Sequence, residues 1–92
     1  MSCCCTDVTT SNAGPDQAVS TGSTVTLAGN SPTNGCGIWT LVSGGGTIVN
    51  KRRPDAYIKN IPAGANVFKW SIRLCGCDCE ESSDDTVTIT AS

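Results

Sequence analysis

The sequence has no histidine, few aromatic side chains and no long apolar run. Its 92 residues include two tryptophans, one tyrosine and one phenylalanine. Without histidine, the commonest general base and a frequent metal ligand is missing. No apolar run approaches the ~20 residues that cross a bilayer, so we expect no membrane span. Residues 1–5 carry neither a charged region nor an apolar run, and we therefore expect no signal peptide.

Charge is also scarce. Six lysines and arginines stand against eight aspartates and glutamates, for a net charge of −2. The chain therefore offers no basic surface for phosphates, and we expect no nucleic-acid partner. The hydrophobic fraction of 38% includes seven cysteines, so the core is thin. We expect cross-links, metal or neighbouring subunits to supply part of the stability of one small domain.

The residues needed for catalysis are missing as well. The glycines at 44–46 lack the following lysine and helix of a phosphate-binding loop. Cys77 and Cys79 lie beside Asp78 and Glu80, whose carboxylates disfavour a reactive thiolate. The sequence therefore predicts a protein that is not an enzyme and that uses no cofactor.

What is present favours strands and turns. Apolar residues do not recur at helical spacing, whereas twelve threonines, ten serines and ten glycines are typical of strands and turns. The clearest strand covers residues 66–74, where Phe68, Trp70 and Ile72 alternate with polar residues. In the strand over residues 37–42, Trp39 and Leu41 are expected to face inward. Further strands are predicted around residues 7–10, 24–27, 47–49, 56–58 and 86–90.

About seven short strands separated by turns predict an all-β fold. The spacing favours an immunoglobulin-like two-sheet antiparallel sandwich over a barrel. We expect the sandwich to span residues 7–92 and to be preceded by a flexible, cysteine-rich arm at residues 1–6.

Four segments carry a family resemblance. They are NAGPDQ at residues 12–17, GSTVTLAGN at 22–30, GIWTLVSGGG at 37–46 and IPAGANVFKWSI at 61–72. In this order they resemble the PKD-like immunoglobulin-fold repeats of bacterial surface and adhesion proteins, over residues 12–90. The resemblance implies a spacer or binding module without shared catalytic residues. The chain departs from that family in being a single repeat without an export signal and in its added cysteines.

The cysteines fall into three groups. Seven in a chain of this length is the density of a disulfide scaffold. Because the number is odd, at least one is free, bonded to a neighbour or bound to metal. Adjacent cysteines bond to each other only through a strained ring, so those at the N-terminus are expected to have separate partners. The cysteines are Cys3, Cys4, Cys5, Cys36, Cys75, Cys77 and Cys79.

The expected topology places these thiols together. If adjacent strands run antiparallel, the arm, Cys36 and the Cys75–Cys79 segment all lie at one end of the sandwich. Ser92 then leaves at the other end. The layout also resembles that of bacterial endospore appendage subunits, in which N-terminal cysteines cross-link neighbouring subunits into a fibre.

We therefore hypothesise a structural subunit that polymerises into an extracellular fibre on a cell or spore surface. All seven cysteines are candidates for intermolecular disulfides, with Cys3, Cys4 and Cys5 bonding to the remaining four in adjacent subunits. Open strand edges would add noncovalent pairing between copies, and the first strand is the natural one to be donated.

Several alternatives stay open. Cys36 could pair with one of Cys75, Cys77 and Cys79 and close a loop, with the arm unlinked. The same fold could serve as a capsid-decoration or tail protein of a virus, or the thiolates could bind metal, although the spacing is not that of a zinc finger. The basic residues 51–53 and the acidic residues 78–85 could form contacts between subunits, or they could be two solvated loops. The acidic residues could also hold Ca²⁺, although the spacing of a Ca²⁺-binding loop is absent. The tryptophans fit the core better than a carbohydrate-binding surface.

Overall fold

A computed structural model describes residues 9–33, 35–73 and 82–92. Within these ranges the chain has seven strands and no helix. The longest two, β6 and β7, have ten residues each and pair antiparallel over their whole length. The strands are β1 (Gln17–Val19), β2 (Val25–Thr26), β3 (Cys36–Ser43), β4 (Thr47–Val49), β5 (Tyr57–Lys59), β6 (Gly64–Arg73) and β7 (Ser82–Ala91).

The strands form two sheets. One has four strands in the order β1-β7-β6-β3, and the other has three in the order β2-β5-β4. All pairings are antiparallel except that of β1, which runs parallel to β7. The prediction of an all-β chain is therefore confirmed, and the strands lie in two sheets.

A single buried core receives side chains from both sheets. Alternation along β6 directs every second residue into it, because successive side chains of a strand point to opposite faces. The rings of Trp39 and Trp70 pack at its centre, 5.0 Å apart and tilted by 31°. Gly37 makes this possible, since a Cβ there would overlap the Trp70 indole. The core is formed by Ala13, Val25, Leu27, Trp39, Ala56, Ile58, Ile61, Phe68, Trp70, Ile72, Val87, Ile89 and Ala91.

Two local predictions are wrong. A strand is expected at residues 7–10. The structure describes Thr9 and Thr10 of this range, and neither belongs to a strand. The first strand instead begins at Gln17, after a left-handed Gly14 with φ of 83° and Pro15. Leu41, expected in the core, is 43% exposed. A β-bulge between Leu41 and Ser43 shifts the register at this point and ends the regular inward alternation of β3.

Candidate cross-linking end

Cys36 is the cysteine that falls within the described residues. It is exposed at the start of β3 and lies directly across from Arg73 of β6. Cys36 takes part in a disulfide, and its partner lies outside the described residues. The other six candidate positions, Cys3, Cys4, Cys5, Cys75, Cys77 and Cys79, also lie outside them.

The residues that border segments 1–8 and 74–81 lie near Cys36. Arg73, the last described residue before the 74–81 segment, pairs with Ser82, the first one after it. Thr9 follows the N-terminal segment, and its Oγ1 accepts a hydrogen bond of 2.9 Å from the Thr33 amide, three residues before Cys36. All three chain boundaries therefore lie at the same end of the molecule as Cys36, which we call the thiol end.

The C-terminus lies at the opposite end. Thr21 N donates to Ser92 O at 3.2 Å, and Ser92 N donates to Val19 O at 3.1 Å. In the four-stranded sheet, which we call the main sheet, Ala91 pairs with Gly64 at the start of β6. Arg73 is the last residue of that strand. The ten residues of β6 therefore separate Ser92 from the thiol end.

Side chains anchor the residues that follow the N-terminal segment. Asn30 Oδ1 accepts from the Asn12 amide at 2.8 Å, and Asn30 Nδ2 donates to Thr10 O at 2.8 Å. Both Asn30 Oδ1 and Asn30 O lie 3.1 Å from the indole nitrogen of Trp70. Asn30 therefore connects this segment directly to the centre of the core.

Strand β7 supplies a second set of anchors. Ser83 Oγ accepts from the Ser11 amide at 2.9 Å, and Asp85 Oδ2 accepts from the Ala13 amide at 2.7 Å. These bonds hold Ser11 and Ala13 against β7. We did not predict Asn30 or Asp85 from the sequence, because single polar residues in turns and strand ends carry no periodic signal.

The two charge clusters differ in their surroundings. Arg53 forms an ion pair with Asp55 at 3.1 Å, with both side chains more than half exposed. Exposed pairs of this kind contribute little to stability. In the acidic cluster, Asp85 accepts a hydrogen bond from the Ala13 amide. Asp84 is exposed on the outer face of the main sheet. Contacts between the two clusters of different subunits stay a prediction.

The prediction for the tryptophans is confirmed. Each is at most 1% exposed, and both indole nitrogens have acceptors: Trp39 Nε1 donates to Pro54 O at 3.3 Å. A buried ring with its N–H satisfied belongs to the core rather than to a binding surface. Tyr57 is half-buried on β5, where Lys59 Nζ lies 5.9 Å from its ring centre.

The described ranges contain neither a metal-ligand cluster nor a membrane-spanning helix. Within them, no three of the histidine, cysteine, aspartate and glutamate side chains come close enough together to hold a metal ion. In that same portion of the chain, no helix is long and apolar enough to cross a membrane. No protein-family model matches the sequence, and no curated protein matches it.

Proposed function

We propose that the chain is a non-enzymatic structural subunit that assembles with copies of itself into a disulfide-cross-linked fibre. The sandwich is of the immunoglobulin-like, PKD-like type and acts as the rigid body of the subunit. The cysteines of the thiol end form the bonds between copies. The fibre lies outside the cytosol, on a cell or spore surface.

The sheet orders support the immunoglobulin-like assignment. In such folds the second, fifth and fourth strands share one sheet, and the third, sixth and seventh share the other. Here the three-stranded sheet has the order β2-β5-β4, and the other contains β7-β6-β3. The remaining strand, β1, joins the β7 edge.

The observation that carries the proposed assembly is the convergence at the thiol end. Cys36, Thr9, Arg73 and Ser82 all lie there, so every cysteine of the chain is either at this end or in a segment that starts from it. Ser92 lies at the other end. A cluster of thiols on one end of a small rigid body is suited to joining bodies to each other.

The number of cysteines supports bonds between copies. Cys36 and its disulfide partner account for two of the seven, so five remain. Five thiols cannot all pair within one chain, so at least one is available for a bond to a neighbour. The disulfide of Cys36 also supports an oxidising location, since disulfides persist mainly outside the reducing cytosol.

Electrophoresis of the oxidised full-length chain in SDS tests the proposal. Without reductant we expect a ladder of multimers, and with reductant a single band at 9.4 kDa. Cys3→Ser/Cys4→Ser/Cys5→Ser should lose the ladder. The matched control Ser2→Ala/Thr6→Ala changes the same segment but keeps its thiols, and should retain it. A non-reduced wild-type sample that runs as a monomer would contradict the proposal.

A further inference from the structure

One edge of β3 does not pair with another strand of its sheet, and the two halves of this edge differ in what lies beside them. This strand is the outermost of the main sheet, on the side away from β1. In its first half Trp39 N donates to Lys51 O at 2.7 Å, so the loop after β4 occupies the edge there. In its second half, residues 40–43 are all exposed. We call this second half, Thr40–Ser43, the open edge.

The open edge is apolar. Leu41 is 43% exposed and Val42 is 55% exposed, and they are the large hydrophobic side chains that the described surface leaves in solvent. They are consecutive and lie at the β-bulge, where the strand departs from regular pairing with β6. Two apolar side chains beside unpaired backbone groups are typical of a strand that receives another strand.

The opposite edge of the same sheet differs from the open edge. Gln17 Nε2, on β1, donates to Thr26 O of β2 at 3.1 Å, which connects the two sheets along that side. The β1 residues also alternate between half-buried and exposed, with no large exposed apolar side chain. The β1 edge is therefore less suited than the open edge to pairing with a strand of another molecule.

Charge favours a second copy of the same strand as the occupant. No charged residue occurs from residue 17 to residue 50, a range that includes all of β3 and β4. Lysines and other charges on edge strands are a common device that prevents edge-to-edge pairing, and the open edge has none. An uncharged strand can pair with a copy of itself without placing like charges side by side.

We propose that the open edge pairs antiparallel with the open edge of a second copy about a twofold axis. Such a pair places Leu41 and Val42 of one copy against the same residues of the other. The two main sheets then join into one sheet of eight strands. This contact would be a noncovalent interface of the proposed fibre, in addition to the disulfides. Its biological role rests on the proposed function.

The pairing has a consequence for the shape of the assembly. The open edge is at the end of β3 that lies away from Cys36. An antiparallel pair joined there directs its two thiol ends in opposite directions. Disulfides at both ends then connect one pair to the next, which gives a chain of pairs that can grow in two directions.

Sedimentation equilibrium tests the pairing without relying on cross-links. The oxidised full-length chain is treated with iodoacetamide without reductant, which caps free thiols and leaves existing disulfides intact. We use Cys3→Ser/Cys4→Ser/Cys5→Ser as background and expect a concentration-dependent monomer–dimer equilibrium. Val42→Lys should raise the dissociation constant by about tenfold or more, because it places a charged side chain in the apolar contact twice, once from each copy.

Thr90→Lys is the matched control. Thr90 is an exposed strand residue of β7, away from the β3 edge, so this variant should dimerise like the background. A background that stays monomeric at millimolar concentration would overturn the pairing, and so would equal dissociation constants for Val42→Lys and Thr90→Lys. Loss of the dimer in Val8→Lys would indicate that the N-terminal segment forms the dimer contact, and this result would also overturn the proposed pairing of open edges. Each of these results leaves the electrophoretic test of disulfide assembly unaffected, so the two proposals can fail separately.

Discussion

Asn66 joins three parts of the chain from within the core. Its side chain is 1% exposed on β6. Nδ2 lies within hydrogen-bond distance of Pro62 O at 3.0 Å and of Ile89 O at 3.2 Å, and Oδ1 accepts from the Gly45 amide at 3.0 Å. These contacts connect the turn after β3, the loop before β6 and the neighbouring strand β7. A buried amide with all its groups bonded holds these backbones in one arrangement.

Replacing Asn66 should therefore be costly. Asn66→Ala removes the partner of the Ile89 carbonyl in a buried contact and of the Gly45 amide and Pro62 carbonyl in part-buried ones, and each buried group left unsatisfied costs about 1–3 kcal/mol. We expect the free energy of unfolding to fall by about 3 kcal/mol or more in urea denaturation of the oxidised chain. The control is Asn60→Gly, which removes an exposed amide at a φ of 55° that glycine adopts readily. Equal losses in both variants would contradict the role of Asn66.

The burial of single residues is predictable only in part. Phe68, Trp70 and Ile72 follow an alternation that the sequence shows, and all three are fully buried. Asn66 is in the same register, but its partners are backbone groups up to 23 residues away, which no local pattern indicates. The prediction for Leu41 is wrong because the bulge that exposes it depends on pairing with β6.

Among the elements, long strands are easier to predict than short ones. β6 and β7 have ten residues each and alternate in the sequence, although β7 begins four residues earlier than expected. β1 has three residues and no detectable period, so its position does not follow from the sequence. The anchored segment before it, residues 9–14, depends on bonds between residues 72 apart in sequence, as in the pairs Ser11–Ser83 and Ala13–Asp85.

The anchoring of this segment can be tested with two adjacent aspartates. Asp85→Ala removes the acceptor of the Ala13 amide and should speed hydrogen exchange across residues 9–14. We expect it to lower the free energy of unfolding by about 1.5–3 kcal/mol, as for other hydrogen bonds to a charged acceptor. Asp84→Ala removes the same charge from the exposed face of the same strand and should change neither quantity measurably. Similar exchange rates at Ala13 in the two variants would refute the anchoring role.

At the scale of the whole molecule, antiparallel connectivity is the most informative feature of the sequence. It predicts that Cys36 and both cysteine-bearing segments share one end, and the described residues that border those segments do lie there. Connectivity among the thiols cannot be predicted, because seven cysteines allow many pairings and their spacing does not select among them. The disulfide of Cys36 removes two of the seven cysteines, Cys36 and its partner, from the set available for further bonds.

Isotope mixing separates bonds within a chain from bonds between chains. Equal amounts of natural-abundance and ¹⁵N-labelled chain are mixed while reduced, oxidised together, digested and analysed by mass spectrometry. If the Cys36 disulfide closes within one chain, its linked peptides should be either fully light or fully heavy. Bonds between copies join chains at random, so about half of the linked peptides that contain Cys3, Cys4 or Cys5 should combine one light and one heavy member if such bonds predominate.

Thiol exchange during digestion is the main source of false mixing, and a second sample controls for it. Chains oxidised separately and mixed only before digestion should give no combined peptides, provided that free thiols are capped at that point. Mixed peptides at Cys36 in the co-oxidised sample would show that this bond also joins neighbours. An absence of mixed peptides at all three N-terminal cysteines would leave each copy covalently closed, and assembly would then depend on noncovalent pairing alone.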